Sequence, residues 1–227
     1  PAVMAGHSLG EYSALVCAGV IDFKDAVKLV KLRGEFMQAA VPLGVGAMAA
    51  VIGLADDVVI KACAEASGSQ VCSAVNFNSP GQVVIAGNKE AVEAASEALK
   101  AAGAKRVLPL PVSVPSHCAL MKSAADELAK ELAKVEFKVP SVPVINNVDV
   151  AKVDDADAIK DALVRQLYSP VRWVETVQAA SADGIKTMIE VGPGKVLAGL
   201  IKRIDKEVNA ISLNDAATLE ASLAAVA

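Results

Sequence analysis

The chain opens Pro1-Ala2-Val3-Met4-Ala5-Gly6-His7-Ser8-Leu9-Gly10-Glu11-Tyr12-Ser13-Ala14-Leu15, and the order of residue types in this stretch decides the fold class. Residues 2–5 form a short apolar run that reads as a buried strand, and 11–20 read as a helix. Between them stands Gly6-x-Ser8-x-Gly10, a G-x-S-x-G sequence with the strand before it and the helix after it. So sharp a turn calls for small flanking residues, hence Gly6 and Gly10, and it projects the Ser8 hydroxyl at the sheet's edge. The Leu9 amide, at the helix start, is placed to bind an oxyanion. The bland alternative is a serine that only caps the following helix.

Working outward, the spacing predicts a second helix over 25–40, stopped by Pro42. The pattern then changes: strands at 48–52, 71–75, 83–86 and 106–110, a helix at 56–66, and a helix after Asn88 that buries Val92, Ala95, Leu99 and Ala102 and ends at Gly103. This β-α-β-β-α-β order is that of a ferredoxin-like unit, and Pro109, Pro111 and Pro115 mark its return to the larger domain. A helix over 119–134 turns Met121, Ala125, Leu128 and Leu132 inward. Strands at 142–145 and 187–191 alternate with helices at 156–167 and 171–182, which implies a parallel sheet. The expected fold class is therefore α/β: a parallel-sheet, serine-hydrolase-like main domain made of residues 1–43 and 114–227, with residues 44–113 inserted as a ferredoxin-like α+β subdomain.

Composition agrees and excludes other classes. The 227 residues are 54% hydrophobic but only 3% aromatic, so the core must be aliphatic, as suits helices layered on strands. Lys and Arg total 22 against 26 for Asp and Glu, interspersed, which leaves no broad basic face for nucleic acid. The uncharged run 39–55 is broken by Pro42, Gly44, Gly46 and Gly53 and is too short to span a bilayer, which needs about 20 residues. Cys17, Cys63, Cys72 and Cys118 lack metal-ligand or C-x-x-C spacing and read as reduced thiols, so no metal or cofactor is expected. No leader opens the chain, a cytoplasmic location is expected, and Pro1 in place of Met suggests a missing upstream segment.

A serine needs a base, and the sequence offers only His7 and His117. His7 adjoins Ser8 inside the tight turn, where its ring should point away from the hydroxyl. His117, in the proline-bounded loop Val114-Pro115-Ser116-His117-Cys118, is the better candidate, with a purely structural histidine as the alternative. Arg33 has Leu29, Val30, Phe36 and Met37 as its neighbours three and four residues away, so its guanidinium projects from the apolar side of its helix. A charge so placed needs an anion, either a protein carboxylate or a substrate carboxylate.

At Gly6-His7-Ser8-Leu9-Gly10-Glu11-Tyr12-Ser13-Ala14-Leu15 the sequence closely resembles the active-site segment of bacterial malonyl-CoA:acyl-carrier-protein transacylases. The resemblance continues through Arg33-Gly34, Asn76-Phe77-Asn78-Ser79-Pro80-Gly81-Gln82, Pro115-Ser116-His117-Cys118-Ala119-Leu120-Met121, Gln166-Leu167-Tyr168-Ser169-Pro170-Val171-Arg172-Trp173 and Glu190-Val191-Gly192-Pro193-Gly194. It implies a ping-pong transfer in which Ser8 takes malonate from coenzyme A and gives it to the phosphopantetheine thiol of acyl carrier protein, in fatty acid synthesis. His117 would be base, then acid. Arg33 would pair with the malonyl carboxylate. Gln166 would lie beside His117, where the family orients the imidazole through a main-chain carbonyl, and Asn76 would face the cleft. A monomer is expected.

Set beside that family, the chain lacks the first strand and a Gly-Gln-Gly-Ser-Gln segment whose glutamine gives the second oxyanion amide. Losing one such donor costs about 10²–10³ in rate, so weak or absent activity of the chain alone is expected. Val114-Pro115-Ser116-His117 matches neither of the tetrapeptides that separate malonyl from methylmalonyl selection in polyketide acyltransferases. The competing enzyme reading is an α/β-hydrolase esterase, which shares the serine turn but runs Ser, acid, His with the histidine near the C-terminus; His117 is near the middle and no histidine follows. The third is an inactive fragment. The carrier proteins of this family are acidic, and Lys105-Arg106 and Lys202-Arg203, the two adjacent Lys-Arg pairs, are expected to flank the cleft as their docking surface.

Overall fold

The computed structural model describes residues 1–112 and 114–225; the expected domain boundary at Ser113 and the last residues of the expected main domain, 226 and 227, lie outside the described residues. In chain order the elements are β1 (Met4–Ala5), α1 (Gly10–Cys17), α2 (Phe23–Ala40), β2 (Gly46–Ile52), α3 (Asp56–Ser67), β3 (Cys72–Ser79), β4 (Gln82–Asn88), α4 (Lys89–Ala101) and β5 (Arg106–Pro109). A 3-10 turn (Ala119–Met121) then leads into α5 (Lys122–Leu132), β6 (Val144–Ile145), α6 (Ala156–Gln166), α7 (Trp173–Ala182), β7 (Thr187–Val191), α8 (Val196–Ile204), β8 (Asn209–Leu213) and α9 (Ala216–Ala224). The fold is mixed α/β, in two compact units, Pro1–Trp173 and Val174–Ala227. Among the described residues no helix is long and apolar enough to cross a membrane.

In the first unit β1 pairs in parallel with β6, Met4 opposite Val144 and Ala5 opposite Ile145. The apolar faces of α1, α2, α5 and α6 close one core, in which Tyr12, Leu15, Leu29, Met37, Leu128 and Leu163 are buried. Helix α2 starts at Phe23, two residues before the sequence reading, because Asp22 caps it: its carboxylate accepts a bond from the Lys24 amide. Helix α1 ends earlier than the sequence suggests. Gly19 N returns to Val16 O and Val20 N to Leu15 O, a Schellman closure that frees Val20 and Ile21 to enter the core outside the helix.

Strands β3-β4-β2-β5 form a sheet with every neighbour antiparallel. One face, with Ala49, Val51, Val83 and Ile85, packs under α3 and α4 against Val59, Val92 and Leu99. The other face, with Met48, Val75, Val84 and Ala86, buries Cys118. Burial on both faces is why 83–86 is continuously apolar rather than alternating, and the second face seats the loop that carries His117. Asn88 holds the N-cap position of α4 but does not cap it: its Oδ1 instead accepts the Val71 amide at 2.8 Å, tying the entry of β3 to the exit of β4. The far end of α4 does follow the sequence, closed by Gly103 N to Lys100 O and Ala104 N to Leu99 O.

In the second unit β7 runs parallel to β8, from Thr187 opposite Asn209 to Val191 opposite Leu213. Asp215 and Thr218 form a reciprocal capping box at the start of α9, and the Glu190 carboxylate accepts the Ala198 amide in α8. Strand β8 and helix α9 were not among the expected elements.

Candidate active site

Ser8 sits between β1 and α1 with φ 52, the left-handed region that costs a non-glycine residue of order 1–3 kcal/mol and persists only where surroundings enforce it. The enforcement begins at Gly6, where a Cβ would lie 1.9 Å from Gly10 C and 2.3 Å from Glu11 N. Only glycine allows strand and helix to approach so closely. The expectation that Gly10 is small for the same reason is corrected: among the described residues a Cβ there meets nothing within 4 Å.

His117 reaches the serine from a loop 109 residues on. Its Nε2 lies 2.8 Å from Ser8 Oγ, and its Nδ1 donates to the main-chain O of Gln166 at 2.8 Å. A carbonyl can only accept, so the proton is on Nδ1 and Nε2 is left as acceptor for the serine hydroxyl. The loop is held by the His117 amide on Leu167 O and by the burial of Cys118 under the sheet. Like Ser8, His117 has positive φ, 65. Burial is the main cause that brings its pKa down to about 3, with the charges of Arg33 and His7 acting the same way against the Gln166 carbonyl. The imidazole is therefore neutral at ordinary pH. His7 points elsewhere: its Nε2 donates to Asn78 Oδ1 at 2.8 Å, and its ring lies 5.6 Å from that of Trp173.

Arg33 is 7% exposed and comes from the apolar side of α2. Its Nη2 donates to Ser8 Oγ at 3.1 Å and to Gln166 Oε1 at 3.3 Å; its Cζ is 6.0 Å from the centroid of the Tyr12 ring. Among the described residues no carboxylate is within ion-pairing distance and Nε has no partner. Gln166, at the end of α6, serves twice more: its Nε2 donates to Ser8 O at 3.1 Å and to Glu11 Oε2 at 2.9 Å. In the turn itself the amides of Gly10, Glu11 and Tyr12 go to the carbonyls of His7, Ser8 and Leu9, and the Ser8 amide goes to Asn147 Oδ1. Among the described residues no acceptor takes the Leu9 amide.

The structure thus brings Ser8, His117, Arg33, Leu9 and Gln166 together. Asn76 is buried on β3, and its neighbours tie that strand to residue 171: Phe77 N donates to Val171 O, and Val171 N to Val75 O. Among the described residues its side chain bonds none of the five. Lys105 and Arg106 are exposed at the start of β5; Lys202 and Arg203 are exposed on α8 in the second unit. Two residues were not singled out by sequence reasoning. Glu11 is 2% exposed and Asn147 is wholly buried; the one usable signal was that Glu11 directly follows the serine motif. A serine hydroxyl within 2.8 Å of a neutral imidazole and 3.1 Å of a buried guanidinium, next to a helix-start amide, has a geometry suited to acyl transfer through a serine ester.

A model of the acyl transferase domain family matches residues 1–220. The malonyl CoA-acyl carrier protein transacylase of Escherichia coli strain K12 is 67% identical over 223 residues, 98% of this chain and 72% of its own length. The protein of that name from Bacillus subtilis strain 168 is 47% identical over 225 residues, 98% of this chain and 71% of its own. Among solved structures, an acyl carrier protein S-malonyltransferase from Vibrio cholerae superposes with a TM-score of 0.97 at 67% identity, over 98% of this chain and 72% of that one. A malonyl-transacylase in complex with a type II PKS acyl-carrier protein gives 0.98 at 61%, over 99% and 73%.

Proposed function

This chain belongs to the acyl transferase domain family, among the malonyl CoA-acyl carrier protein transacylases, and we propose on that premise how its residues carry the reaction. It moves a malonyl group from malonyl-CoA to acyl carrier protein for fatty acid synthesis, in two half-reactions. In the first, His117 Nε2 takes the hydroxyl proton as Ser8 Oγ attacks the thioester carbonyl, and the Leu9 amide receives the oxyanion. The carbon–sulfur bond breaks, His117 returns the proton to the coenzyme A sulfur, and malonyl-Ser8 remains. In the second, the phosphopantetheine thiol gives its proton to His117 and attacks the ester; Ser8 Oγ leaves and takes the proton back. No acid is needed behind His117, since the Gln166 carbonyl fixes its tautomer.

The observation that carries this reading is Arg33: a buried guanidinium whose Nη2 lies 3.1 Å from the Ser8 oxygen, a cation placed to pair with the free carboxylate of a malonyl group held on that serine. Asn76, buried on β3, is read as lining the same cleft. The strand order 3-4-2-5 and the two helices on one face support reading residues 44–113 as a ferredoxin-like subdomain inserted between 1–43 and 114–227. Incubation with labelled malonyl-CoA, intact mass and peptide mapping test the reading. One malonyl group gained on Ser8, absent in Ser8→Ala and discharged by acyl carrier protein, is expected. Release of free malonate with no transfer would place water, not a thiol, as acceptor.

A further inference from the structure

We propose that Asn147, anchored by the buried carboxylate of Glu11, is a positioning residue that holds the strained backbone of Ser8 in its reactive geometry. The amide side chain of Asn147 spans the turn: Oδ1 accepts from Ser8 N at 2.7 Å, and Nδ2 donates to Gly6 O at 2.7 Å. It therefore clamps the residue with positive φ and the residue at which strand and helix touch. Asn147 in turn is fixed by its own main-chain N–H, which donates to Glu11 Oε2 at 2.9 Å. The same oxygen accepts Gln166 Nε2, which also donates to Ser8 O. Ser8 is thus gripped on both sides, its amide through Asn147 and its carbonyl through Gln166, and both grips meet at one carboxylate oxygen.

The burial of Glu11 is otherwise hard to account for. A carboxyl at 2% exposure is unfavourable unless its acceptors are used, and here the two donors it satisfies are the two residues that hold Ser8. Among the described residues no ion pair at bonding distance rewards it; the charge of Arg33 acts on it from farther off. Asn147 lies just beyond β6, the strand paired with β1, so the clamp also transmits the register of that strand pair to the nucleophile. A displaced serine would leave both the His117 bond and the Arg33 bond long, and an error of about 1 Å in such a geometry costs about 10²-fold in rate.

The inference rests on the reading of Ser8 as nucleophile, and its test separates the two. Ser8 is titrated with a fluorophosphonate reagent, which reports nucleophile reactivity without any acyl donor, and melting is followed by circular dichroism. Asn147→Ala is expected to label about 10²-fold more slowly while folded, with malonyl loading reduced in kcat and not in KM. Glu11→Ala should label slowly as well, and Glu11→Gln, whose Oε1 can accept both bonds, should recover most of the loss. A merely structural role predicts lower melting temperatures with wild-type labelling of the folded fraction, which would overturn the proposal. If Asn147→Ala does not fold, the two Glu11 variants decide: equal, wild-type labelling rates in both sink it. A wild-type chain labelled no faster than Ser8→Ala would instead remove the nucleophile reading itself.

Discussion

At the scale of single residues, two buried titratable groups of the site, His117 and Glu11, pull stability in opposite directions with pH. Burial lowers His117 from 6.5 to about 3, so between those values the unfolded chain binds more protons, and the stability His117 leaves intact at neutral pH is lost as pH falls. Burial raises Glu11 from 4.5 to about 7, against the bonds from Gln166 and Asn147 and the charge of Arg33; there the native chain binds more protons, and stability falls as pH rises from 4.5 to 7. Between 4.5 and 6.5 the two slopes oppose. Glu11→Gln leaves the histidine alone, and urea midpoints should then climb with pH in that window by up to about 1.4 kcal/mol per unit, where the parent is flatter. Parallel curves for parent and variant would show that Glu11 titrates alike in the folded and unfolded chain. Arg33 is the buried cation of the site, its Nη2 donating to Ser8 Oγ and Gln166 Oε1. Removing it should cut malonyl loading relative to acetyl by about 10- to 100-fold, the equivalent of the roughly 1.5–3 kcal/mol of a hydrogen bond to a charged group, read by competition loading and intact mass. Because Arg33 also donates to Gln166 Oε1 and its charge favours the buried Glu11 carboxylate, Arg33→Met should melt somewhat lower than the parent while its acyl preference shifts; a variant that only unfolds, its acyl preference unchanged, would point to a purely structural role.

At the scale of elements, the turn between β1 and α1 separates its two glycines. Gly6→Ala places a Cβ into the main chain of Gly10 and Glu11, which has no side-chain torsion to relieve it, so the turn must open. Gly10→Ala places one in open space at a helical position, and should gain about 0.4–1 kcal/mol by restricting the unfolded chain. Urea unfolding of both variants checks this; a Gly10→Ala variant as damaged as Gly6→Ala would mean that the motif needs both glycines alike. The same contrast marks how far the sequence could be read. Periodicity located α4 and its closure at Gly103, and the apolar runs located β2 and β4, because those signals are local and strong. Strand β8, Asn209-Ala-Ile-Ser-Leu213, is a strand only by virtue of its parallel partner β7, and α9 is built of small residues with little amphipathic contrast. Asn88 misled because a good capping residue met a stronger claim from Val71. In the site, Ser8, His117 and Arg33 were legible by residue type and place: a hydroxyl in a tight turn, a histidine in a proline-bounded loop, a cation on an apolar face. Glu11 and Asn147 were not, since their meaning lies in a bond between positions 136 residues apart that no local pattern encodes.

At the scale of the whole molecule, a chain of net charge −4 would have to recruit the acidic carrier protein that the sequence resemblance implies. Net repulsion has to be overcome locally, so exposed basic pairs gain weight as docking contacts. Lys105 and Arg106 are exposed at the start of β5 in the first unit, and Lys202 and Arg203 are exposed on α8 in the second, so each pair is reversed to Glu separately before both are combined. Charges at the rim of an interface act on the encounter more than on the final contact. Steering of this kind raises association rates by 10–10³ at low ionic strength and is screened over about 8 Å at physiological salt. Reversal of a pair that docks the carrier should therefore raise the carrier-protein KM about tenfold or more at low salt, flatten its salt dependence, and leave malonyl loading of Ser8 from coenzyme A unchanged, since the clamp around Ser8 involves neither pair. Loading and transfer are assayed separately, by intact mass and by carrier-protein discharge across a salt series. If one reversed pair shows the effect and the other does not, the first alone marks the docking face. If the doubly reversed chain transfers normally at low salt, these four residues do not dock the carrier, and an acidic partner is received on another surface.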